Sequence, residues 1–208
     1  MSFDRFFYAF VRVSFRIIFT IYNRFSIRWL EPLPGNRPLI IACNHCSNLD
    51  PLLVGVAFPR RLRYFAKVEL FGRVLGPIIR TLGAVPVSRA DNASAASALK
   101  GFFKLLEDGS DVLIFPEGSR SPDGKLLPLE GGVGLIAARS QAAILPVFIK
   151  GSYEAMPPGA ALVKPHKITV TFGKILTYEP EFYKTKGARE KIMAELTEAM
   201  LALESSAS

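Results

Sequence analysis

Residues 38–51 of the chain read PLIIACNHCSNLDP, and they indicate a buried strand, a short loop and the start of a helix. The first six residues form an apolar run, which is typical of a strand inside a sheet. Asp50 followed by Pro51 favours a helix start, because aspartate is a good N-cap and proline fits the first helical position. The sequence therefore predicts a strand–loop–helix unit, with His45 inside the loop and Asp50 at its far end.

The loop of this unit carries a histidine and an aspartate, His45 and Asp50, at a spacing of five residues. A loop that doubles back brings the carboxylate to one imidazole nitrogen, which fixes the tautomer and leaves the other nitrogen free to take a proton. The alternative is a packed or surface histidine beside a helix cap. The first interpretation predicts a general-base pair, which needs a group to deprotonate.

A second motif follows another short apolar strand, Val112 to Phe115, and reads PEGSRS at residues 116–121. A strand that ends in a glycine and serine loop with an arginine favours phosphate binding. Backbone N–H groups and hydroxyls donate to the phosphate, and the guanidinium holds two of its oxygens. The same residues also suit an ordinary turn, and both interpretations stay open on this motif alone.

Together the two motifs resemble the glycerolipid acyltransferases, the family typified by 1-acylglycerol-3-phosphate acyltransferase. The similarity spans about residues 38 to 152 and has four blocks in the family's order. These blocks are NHCSNLD at 44–50, GAVPVSR at 83–89, FPEGSRS at 115–121 and ILPV at 144–147. The segment AKVEL at 66–70 is also similar to the family.

The resemblance implies an O-acyltransferase that moves an acyl group from acyl-CoA or acyl-ACP to lysophosphatidic acid, giving phosphatidic acid. It implies that His45 deprotonates the acceptor hydroxyl and that Asp50 orients His45, with no acyl-enzyme. A thioester donor is already activated, so no held cofactor and no metal are expected. The implied substrate-binding residues are Lys67, Arg89, Glu117, Gly118, Ser119 and Arg120.

One stretch departs from the family pattern. Residues 129–132 read LEGG, where the family commonly has an aromatic residue and a lysine before a glycine. The glutamate, Glu130, changes the charge beside the second motif. An acyltransferase with another acceptor therefore stays open: glycerol 3-phosphate, a lysophospholipid or an amino-acid lipid.

The charge of the chain favours anionic partners. The net charge is +8 over 208 residues, a length that suits one domain. Residues 1–30 contain five arginines and one aspartate, and residues 58–90 contain six arginines and one lysine against one glutamate. This pattern indicates phospholipid surfaces and phosphorylated substrates. Nucleic acid is not expected, because the aromatic residues near the N-terminal arginines follow a helical pattern and not that of a stacking platform.

Residues 1–30 are predicted to be a helical segment that lies in a membrane interface, followed by a catalytic domain over residues 31–208. Arginines and other polar residues share one narrow stripe of the helix, and most of the remaining surface is apolar. No apolar run reaches the ~18–20 residues that a membrane span needs, and a secretory signal is not expected. The alternative is a helix packed on the protein's own core. The stripe residues are Arg5, Arg12, Arg16, Thr20 and Asn23.

The two cysteines, Cys43 and Cys46, form a Cys-x-x-Cys pattern around the histidine. A redox pair and half of a zinc site are both compatible with this spacing. A zinc site needs two more ligands at matching spacing, so structural cysteines are the favoured interpretation. The low cysteine content suits a reducing environment, which with the N-terminal helix predicts a protein on the cytoplasmic face of the inner or plasma membrane.

The remaining sequence alternates apolar strands and helical patterns, which predicts a single α/β domain with a mixed, largely parallel sheet flanked by helices. Active loops are expected at one edge of that sheet. Two other functions stay open: a hydrolase with Ser47 or Ser119 as nucleophile, although neither lies in a Gly-x-Ser-x-Gly elbow, and a non-enzymatic basic binder. Strands are predicted at 62–66, 85–88, 112–115, 144–150 and 167–172, helices at 70–81, 94–107, 133–140 and 188–203, and a frayed tail at 204–208.

Overall fold

A computed structural model of the protein describes residues 3–35, 37–73, 75–87 and 94–207. The strands in these residues are β1 (Ser26–Trp29), β2 (Leu39–Cys43), β3 (Leu62–Lys67), β4 (Ala84–Val87), β5 (Asp111–Ile114), β6 (Ala143–Lys150) and β7 (Thr169–Phe172). The α-helices are α1 (Phe3–Asn23), α2 (Asp50–Ala57), α3 (Leu75–Thr81), α4 (Ser94–Glu107), α5 (Gly132–Ser140), α6 (Ser152–Ala155) and α7 (Ala188–Ser206).

The strands form one mixed sheet in the order β1-β7-β6-β2-β5-β3-β4. All neighbouring strands run parallel except β6 and β7, which are antiparallel. A central parallel strand is covered on both faces and is therefore apolar along its whole length; β2 is buried at all five positions. The predicted single α/β domain with a largely parallel, mixed sheet is confirmed.

Helices cover both faces of the sheet because β2 directs alternate side chains to opposite sides. Leu39, Ile41 and Cys43 join a core that includes residues of α1 and α2. Ile40 and Ala42 join a second core that α4, α5 and α7 complete. The molecule is thus a three-layer arrangement of helices, sheet and helices.

Helix α1 is shorter than predicted and is followed by an edge strand. It ends at Asn23, and Arg24 adopts a left-handed φ of 47°. Residues 26–29 then pair with β7 as strand β1, in the register Ser26 to Thr169. The prediction of a helical segment up to residue 30 was wrong in this part, because pairing with a distant strand decides the conformation there.

The polar stripe of α1 is divided between the domain and solvent, since Arg16 and Thr20 are exposed. Arg12 donates to the carbonyls of Val56 (3.2 Å) and Pro59 (3.1 Å), and Asn23 is fully buried. The inner face of α1 thus contacts the domain through polar bonds as well as through apolar side chains. The outer face exposes a row of large apolar side chains, namely Phe6, Phe10, Val13, Ile17, Ile18 and Ile21. Among the helices of the described residues, none combines the length and the apolar character that crossing a membrane demands.

Three other elements differ from the predictions. The predicted helix at 70–81 begins only at Leu75, after a 3-10 turn at Val68–Leu70. Strand β7 begins at Thr169, two residues later than the predicted strand. Helix α7 continues to Ser206, through most of the tail that was expected to fray.

The parallel strands bring two connecting segments together at their carboxyl ends. Ala42 of β2 is paired with Ile114 of β5, so residues 44–49 and 115–121 leave the sheet side by side. Because the carboxyl ends of parallel strands form the usual site of an open α/β sheet, this edge is where the candidate site lies.

Candidate active site

His45 and Asp50 are in direct contact at the carboxyl edge of the sheet. His45 Nδ1 lies 2.9 Å from Asp50 Oδ2. A carboxylate only accepts hydrogen bonds, so Nδ1 carries the proton and Nε2 presents its lone pair. The side chain of Asp50 is fully buried, whereas 19% of the His45 side chain is exposed. The pair thus combines a fixed carboxylate with an imidazole that a substrate can reach.

Asp50 is held by the loop and does not cap helix α2. Its Oδ2 atom accepts the backbone N–H groups of Cys46 (2.8 Å) and Ser47 (2.7 Å) as well as His45. No side-chain bond caps the helix, for which Leu49 occupies the N-cap position. The expectation that Asp50 is the N-cap was wrong, because its carboxylate turns back to the three donors of the histidine loop.

Residues of the second motif form hydrogen bonds with both the N–H and the carbonyl of His45. The N–H of His45 donates to Glu117 Oε1 at 2.6 Å, and the carbonyl of His45 accepts the N–H of Ser121 at 2.7 Å. The ring of Phe115 stacks on the imidazole, with 4.0 Å between ring centroids. These contacts leave the imidazole little freedom to move.

The two carboxylate oxygens of Glu117 link the histidine loop to the segment around Leu127. Oε1 accepts from His45, and Oε2 accepts the N–H of Leu127 at 2.8 Å. Burial raises the pKa of the Glu117 carboxyl, and the hydrogen bonds from Leu127 and His45 oppose that change. The geometry fits a role of Glu117 in orienting the loop, and the contact of this carboxylate with substrate that the resemblance implies stays a prediction.

The tip of the second motif presents Gly118, Ser119 and Arg120. Gly118 has a left-handed φ of 67°, and a Cβ there would lie only 2.5 Å from Glu130 Oε1. Ser119 is exposed. The guanidinium of Arg120 donates to Asn48 Oδ1 at 2.8 Å, which holds it beside the histidine loop. The two motifs therefore form one site, with the Glu130 carboxylate at its rim.

Two of the predicted site residues are placed less fully. Arg89 lies outside the described residues. Lys67 is the last residue of β3, which runs parallel to β5, so its backbone lies at the same edge of the sheet as His45. The substrate contacts of both residues stay predictions.

The structure assigns structural roles to two polar residues of the histidine motif. The amide of Asn44 donates to the carbonyl of Ile149 (3.0 Å) and accepts its N–H (2.7 Å), which extends the pairing of β2 with β6. The hydroxyl of Ser47 donates to the carbonyl of Met156 at 2.7 Å and is buried. Because its proton goes to Met156 and not to His45, Ser47 is poorly placed as a nucleophile.

Both cysteines are free and buried. Burial raises the pKa of Cys46 to about 12 and that of Cys43 well above its ordinary value. The neutral thiol is neither the nucleophile of disulfide exchange nor a metal ligand. In the part of the chain that the structure describes, no group of three or more histidine, cysteine, aspartate or glutamate side chains is arranged to hold a metal.

Sequence reasoning missed the partners that position the site. The sequence did not predict three contacts: the stack of Phe115 on the imidazole, the hydrogen bond of Asn48 with Arg120, and the hydrogen bond of Glu117 with Leu127. The only sequence signal for Asn48 is its place between His45 and Asp50. The contact of Glu117 with Leu127 depends on tertiary folding and leaves no local pattern.

The fold and the site define an α/β protein with a histidine–aspartate pair and an arginine loop at the carboxyl edge of a parallel sheet. Residues 24–150 match the family described as Acyltransferase. The chain belongs to this acyltransferase family.

Similar proteins carry a common description. The chain is 31% identical over 147 residues to a chloroplast 1-acyl-sn-glycerol-3-phosphate acyltransferase of Arabidopsis thaliana, which covers 70% of this chain and 41% of that protein. It is 29% identical over 195 residues to the 1-acyl-sn-glycerol-3-phosphate acyltransferase of Bacillus subtilis, covering 93% and 92% of the two chains. The chain thus spans about two fifths of the chloroplast relative and nearly all of the bacterial one.

A solved structure shares the fold along the whole chain. The crystal structure of the 1-acyl-sn-glycerophosphate (LPA) acyltransferase of Thermotoga maritima superimposes with a TM-score of 0.76 at 25% identity. The match covers 99% of this chain and 81% of that one.

Proposed function

We propose that the protein is a 1-acyl-sn-glycerol-3-phosphate O-acyltransferase. It transfers an acyl group from acyl-CoA or acyl-ACP to the free hydroxyl of lysophosphatidic acid and forms phosphatidic acid. The contact of His45 Nδ1 with the buried Asp50, beside the loop that presents Arg120, is the observation that carries the proposal. Family membership and the names of the similar proteins support the acceptor.

The proposed reaction needs one base and no covalent enzyme intermediate. His45 Nε2 takes the proton of the acceptor hydroxyl while the hydroxyl oxygen attacks the thioester carbonyl carbon. The C–O bond forms, the C–S bond breaks, and the departing thiolate receives the proton from the imidazolium. Asp50 stabilises that imidazolium through Nδ1, and the ring stack on Phe115 keeps Nε2 aimed at one point.

The second motif is proposed to bind the acceptor phosphate. Arg120 offers a guanidinium that is fixed beside the histidine loop by Asn48 and suits two phosphate oxygens. The exposed hydroxyl of Ser119 donates to the same phosphate, and the missing side chain of Gly118 allows its backbone to approach closely. Arg89 and Lys67 are proposed as further phosphate or donor contacts on the basis of the resemblance alone.

A second acceptor class is favoured by one observation. The Glu130 carboxylate lies against Gly118, next to where the acceptor phosphate is proposed to bind. An acidic group there repels a phosphate and attracts a cationic amine. An acceptor that carries an amine, such as an amino-acid lipid or an ethanolamine lysophospholipid, is therefore the alternative.

The outer face of α1 is proposed to lie in the interface of an anionic membrane, on its cytoplasmic side. Exposed large apolar side chains run along this helix from Phe6 to Ile21. Such a face is typical of helices that lie in the plane of a membrane interface. A lipid acceptor supports the same placement, because it resides in that layer.

The experiment is a product assay with radiolabelled donor in detergent. Acyl-CoA and acyl-ACP are each offered with lysophosphatidic acid, glycerol 3-phosphate, lysophosphatidylethanolamine and an amino-acid lysolipid, and products are separated by thin-layer chromatography. Phosphatidic acid as the main product supports the proposal. Transfer chiefly to the amine-bearing acceptors would replace it with the alternative, and the absence of transfer to any acceptor would overturn both.

A further inference from the structure

A second charged cleft lies at the opposite edge of the sheet from His45. It has a volume of about 320 Å³, and its lining includes Arg37, Arg60, Arg61, Arg63 and Asp111. These residues precede or begin β2, β3 and β5, so the cleft lies at the amino ends of the strands. Five residues of β2 separate the two edges by about 16 Å, so the cleft is separate from the proposed active site.

The cleft is built on a partly buried ion pair. Arg60 contacts Asp111 through two nitrogens, with Nε–Oδ2 at 2.8 Å and Nη2–Oδ1 at 2.9 Å. Asp111 Oδ1 also accepts the N–H of Leu39, and Arg60 Nη1 donates to the carbonyl of Gly35. This ion pair fixes the walls of the cleft and neutralises one of its four arginines.

The other three arginines bring positive charge that the described residues do not neutralise. Within the part of the chain that the structure describes, neither Arg61 nor Arg63 has a carboxylate within ion-pair distance, and the same is true of Arg37. Burial and the neighbouring charge of Arg61 lower the pKa of the Arg63 guanidinium. A bound anion relieves this repulsion, and guanidinium groups match phosphate oxygens; the guanidinium of Arg61 also donates to the carbonyl of Arg80 at 3.4 Å.

The cleft adjoins the helix that exposes apolar side chains. The guanidinium of Arg61 lies 5.6 Å from the centre of the Tyr8 ring of α1. Tyr8 in turn donates to the carbonyl of Arg60 at 3.4 Å. Tyr8 lies on the side of α1 that also carries Arg12, so the cleft adjoins the inner face of the N-terminal part of this helix.

We propose that this arginine cleft binds the phosphate of an anionic phospholipid head group. The inference goes beyond the proposed reaction and rests on the proposed membrane contact of α1. The cleft and α1 together give two contacts of different kinds with one lipid surface: apolar burial by the helix and phosphate binding by the arginines. The lipid bound here is distinct from the acceptor at His45.

The test compares vesicle binding by the full chain and by the double variant Arg61→Gln/Arg63→Gln. Vesicles are phosphatidylcholine alone, or phosphatidylcholine with phosphatidylglycerol. Each arginine near an anionic surface strengthens binding about fivefold, so the variant is expected to bind the anionic vesicles about 30-fold more weakly. Binding to phosphatidylcholine alone, which reports on α1, is expected to stay unchanged.

Two control variants separate a cleft from diffuse attraction. Lys184→Gln/Lys186→Gln removes the same charge from an exposed segment next to α7, on the other side of the sheet, and is expected to change anionic binding less than about twofold. Arg61→Lys/Arg63→Lys keeps the charge but loses the planar guanidinium, which donates to two oxygens at once. This variant is expected to bind the anionic vesicles at least about threefold more weakly than wild type. Equal losses in the two glutamine variants, or full binding by the lysine variant, would overturn the proposal.

Two further arms distinguish other sources of the anion. Inorganic phosphate at millimolar concentration is added to a thermal-unfolding assay of wild type and of Arg61→Gln/Arg63→Gln. Stabilisation of wild type alone, with vesicle binding equal in both proteins, would make the ligand a soluble phosphate compound and overturn the lipid assignment. Binding of an acidic acyl carrier protein is measured for the same two proteins. If Arg61→Gln/Arg63→Gln loses affinity for the carrier protein while its vesicle binding stays intact, the cleft is a protein-docking site and the lipid assignment is overturned. Acyl transfer in detergent tests the proposed function separately from all of these.

Discussion

At the scale of single residues, the site is decided by how His45 is held. Its ring contacts Asp50 on one nitrogen and Phe115 on one face, and its backbone is bonded to Glu117 and Ser121. A base that is fixed before the substrate arrives loses no free energy to reorientation during the reaction. The same residues thus provide both the local fold and the proposed chemistry.

Glu117 makes stability depend on pH in a definite direction. Because burial raises its pKa above the ordinary 4.5, the folded state holds this proton more tightly than the unfolded state. The carboxyl therefore favours folding below its unfolded pKa, and that contribution is lost as pH rises through the folded pKa. Glu117→Gln cannot titrate, so the unfolding free energy of wild type minus that of the variant should decrease with rising pH. Urea denaturation at several pH values measures this difference, and a constant or growing difference would show that folding does not raise the pKa of Glu117.

Glu130 is expected to weaken the binding of a phosphate acceptor. Removing its charge in Glu130→Gln relieves a repulsion of about 1 kcal/mol, so the KM for lysophosphatidic acid should fall about fivefold. The KM for an amine-bearing acceptor should not fall. The matched control is Glu107→Gln, which removes an exposed charge at the end of α4. Steady-state kinetics of wild type and both variants measure these KM values. An unchanged KM for lysophosphatidic acid in Glu130→Gln would show that Glu130 does not lie beside the bound acceptor.

At the scale of elements, Asn44 joins the carboxyl ends of β2 and β6. Asn44→Ala deletes two hydrogen bonds and leaves the N–H and carbonyl of Ile149 without these partners, which should cost about 2–4 kcal/mol. Asn48→Ala, at an exposed position of the same loop, should change stability by less than about 0.5 kcal/mol. Chemical denaturation measures both. Equal stabilities of the two variants would show that the side-chain pairing does not hold the strands.

The outer face of α1 is expected to bind lipid through its apolar side chains. Phe10→Ser/Ile17→Ser/Ile21→Ser changes three exposed positions and should lower partition into phosphatidylcholine vesicles at least about tenfold. Folding should survive, since Phe19 and Val11 on the inner face are retained. Leu162→Ser/Leu201→Ser is the control, because both side chains are exposed elsewhere. Vesicle co-sedimentation that is the same for both variants would refute membrane binding by this face.

The elements also show what the sequence predicts and what it leaves open. Apolar runs and turn residues were sufficient for β2, β5, β6 and α4, because these signals are local. The edge strand β1 and the inward orientation of Arg12 were not predicted. The partners of Arg12 lie 44 and 47 residues away in the chain, and helical periodicity does not reveal which face of a helix meets the domain.

At the scale of the whole molecule, the two edges of the sheet have different chemistry. The carboxyl edge gathers the histidine–aspartate pair and the arginine loop, as the parallel connection of β2 and β5 requires. The amino edge gathers the arginine cleft beside α1. Spacing in the sequence predicted the first site, because both motifs follow strands. The second joins residues from three separate segments, 37, 60–63 and 109–111, and needs the folded sheet to bring them together.

We propose that His45, oriented by Asp50, is the base for acyl transfer to lysophosphatidic acid. The most direct measurement is the rate of phosphatidic acid formation in detergent by wild type, His45→Ala and Asp50→Asn, with circular dichroism to verify folding. We expect wild type to form the product and kcat to fall by a factor of about 100 to 10,000 in His45→Ala, with a large loss also in Asp50→Asn. A folded His45→Ala variant that retains the wild-type rate would show that His45 is not the base.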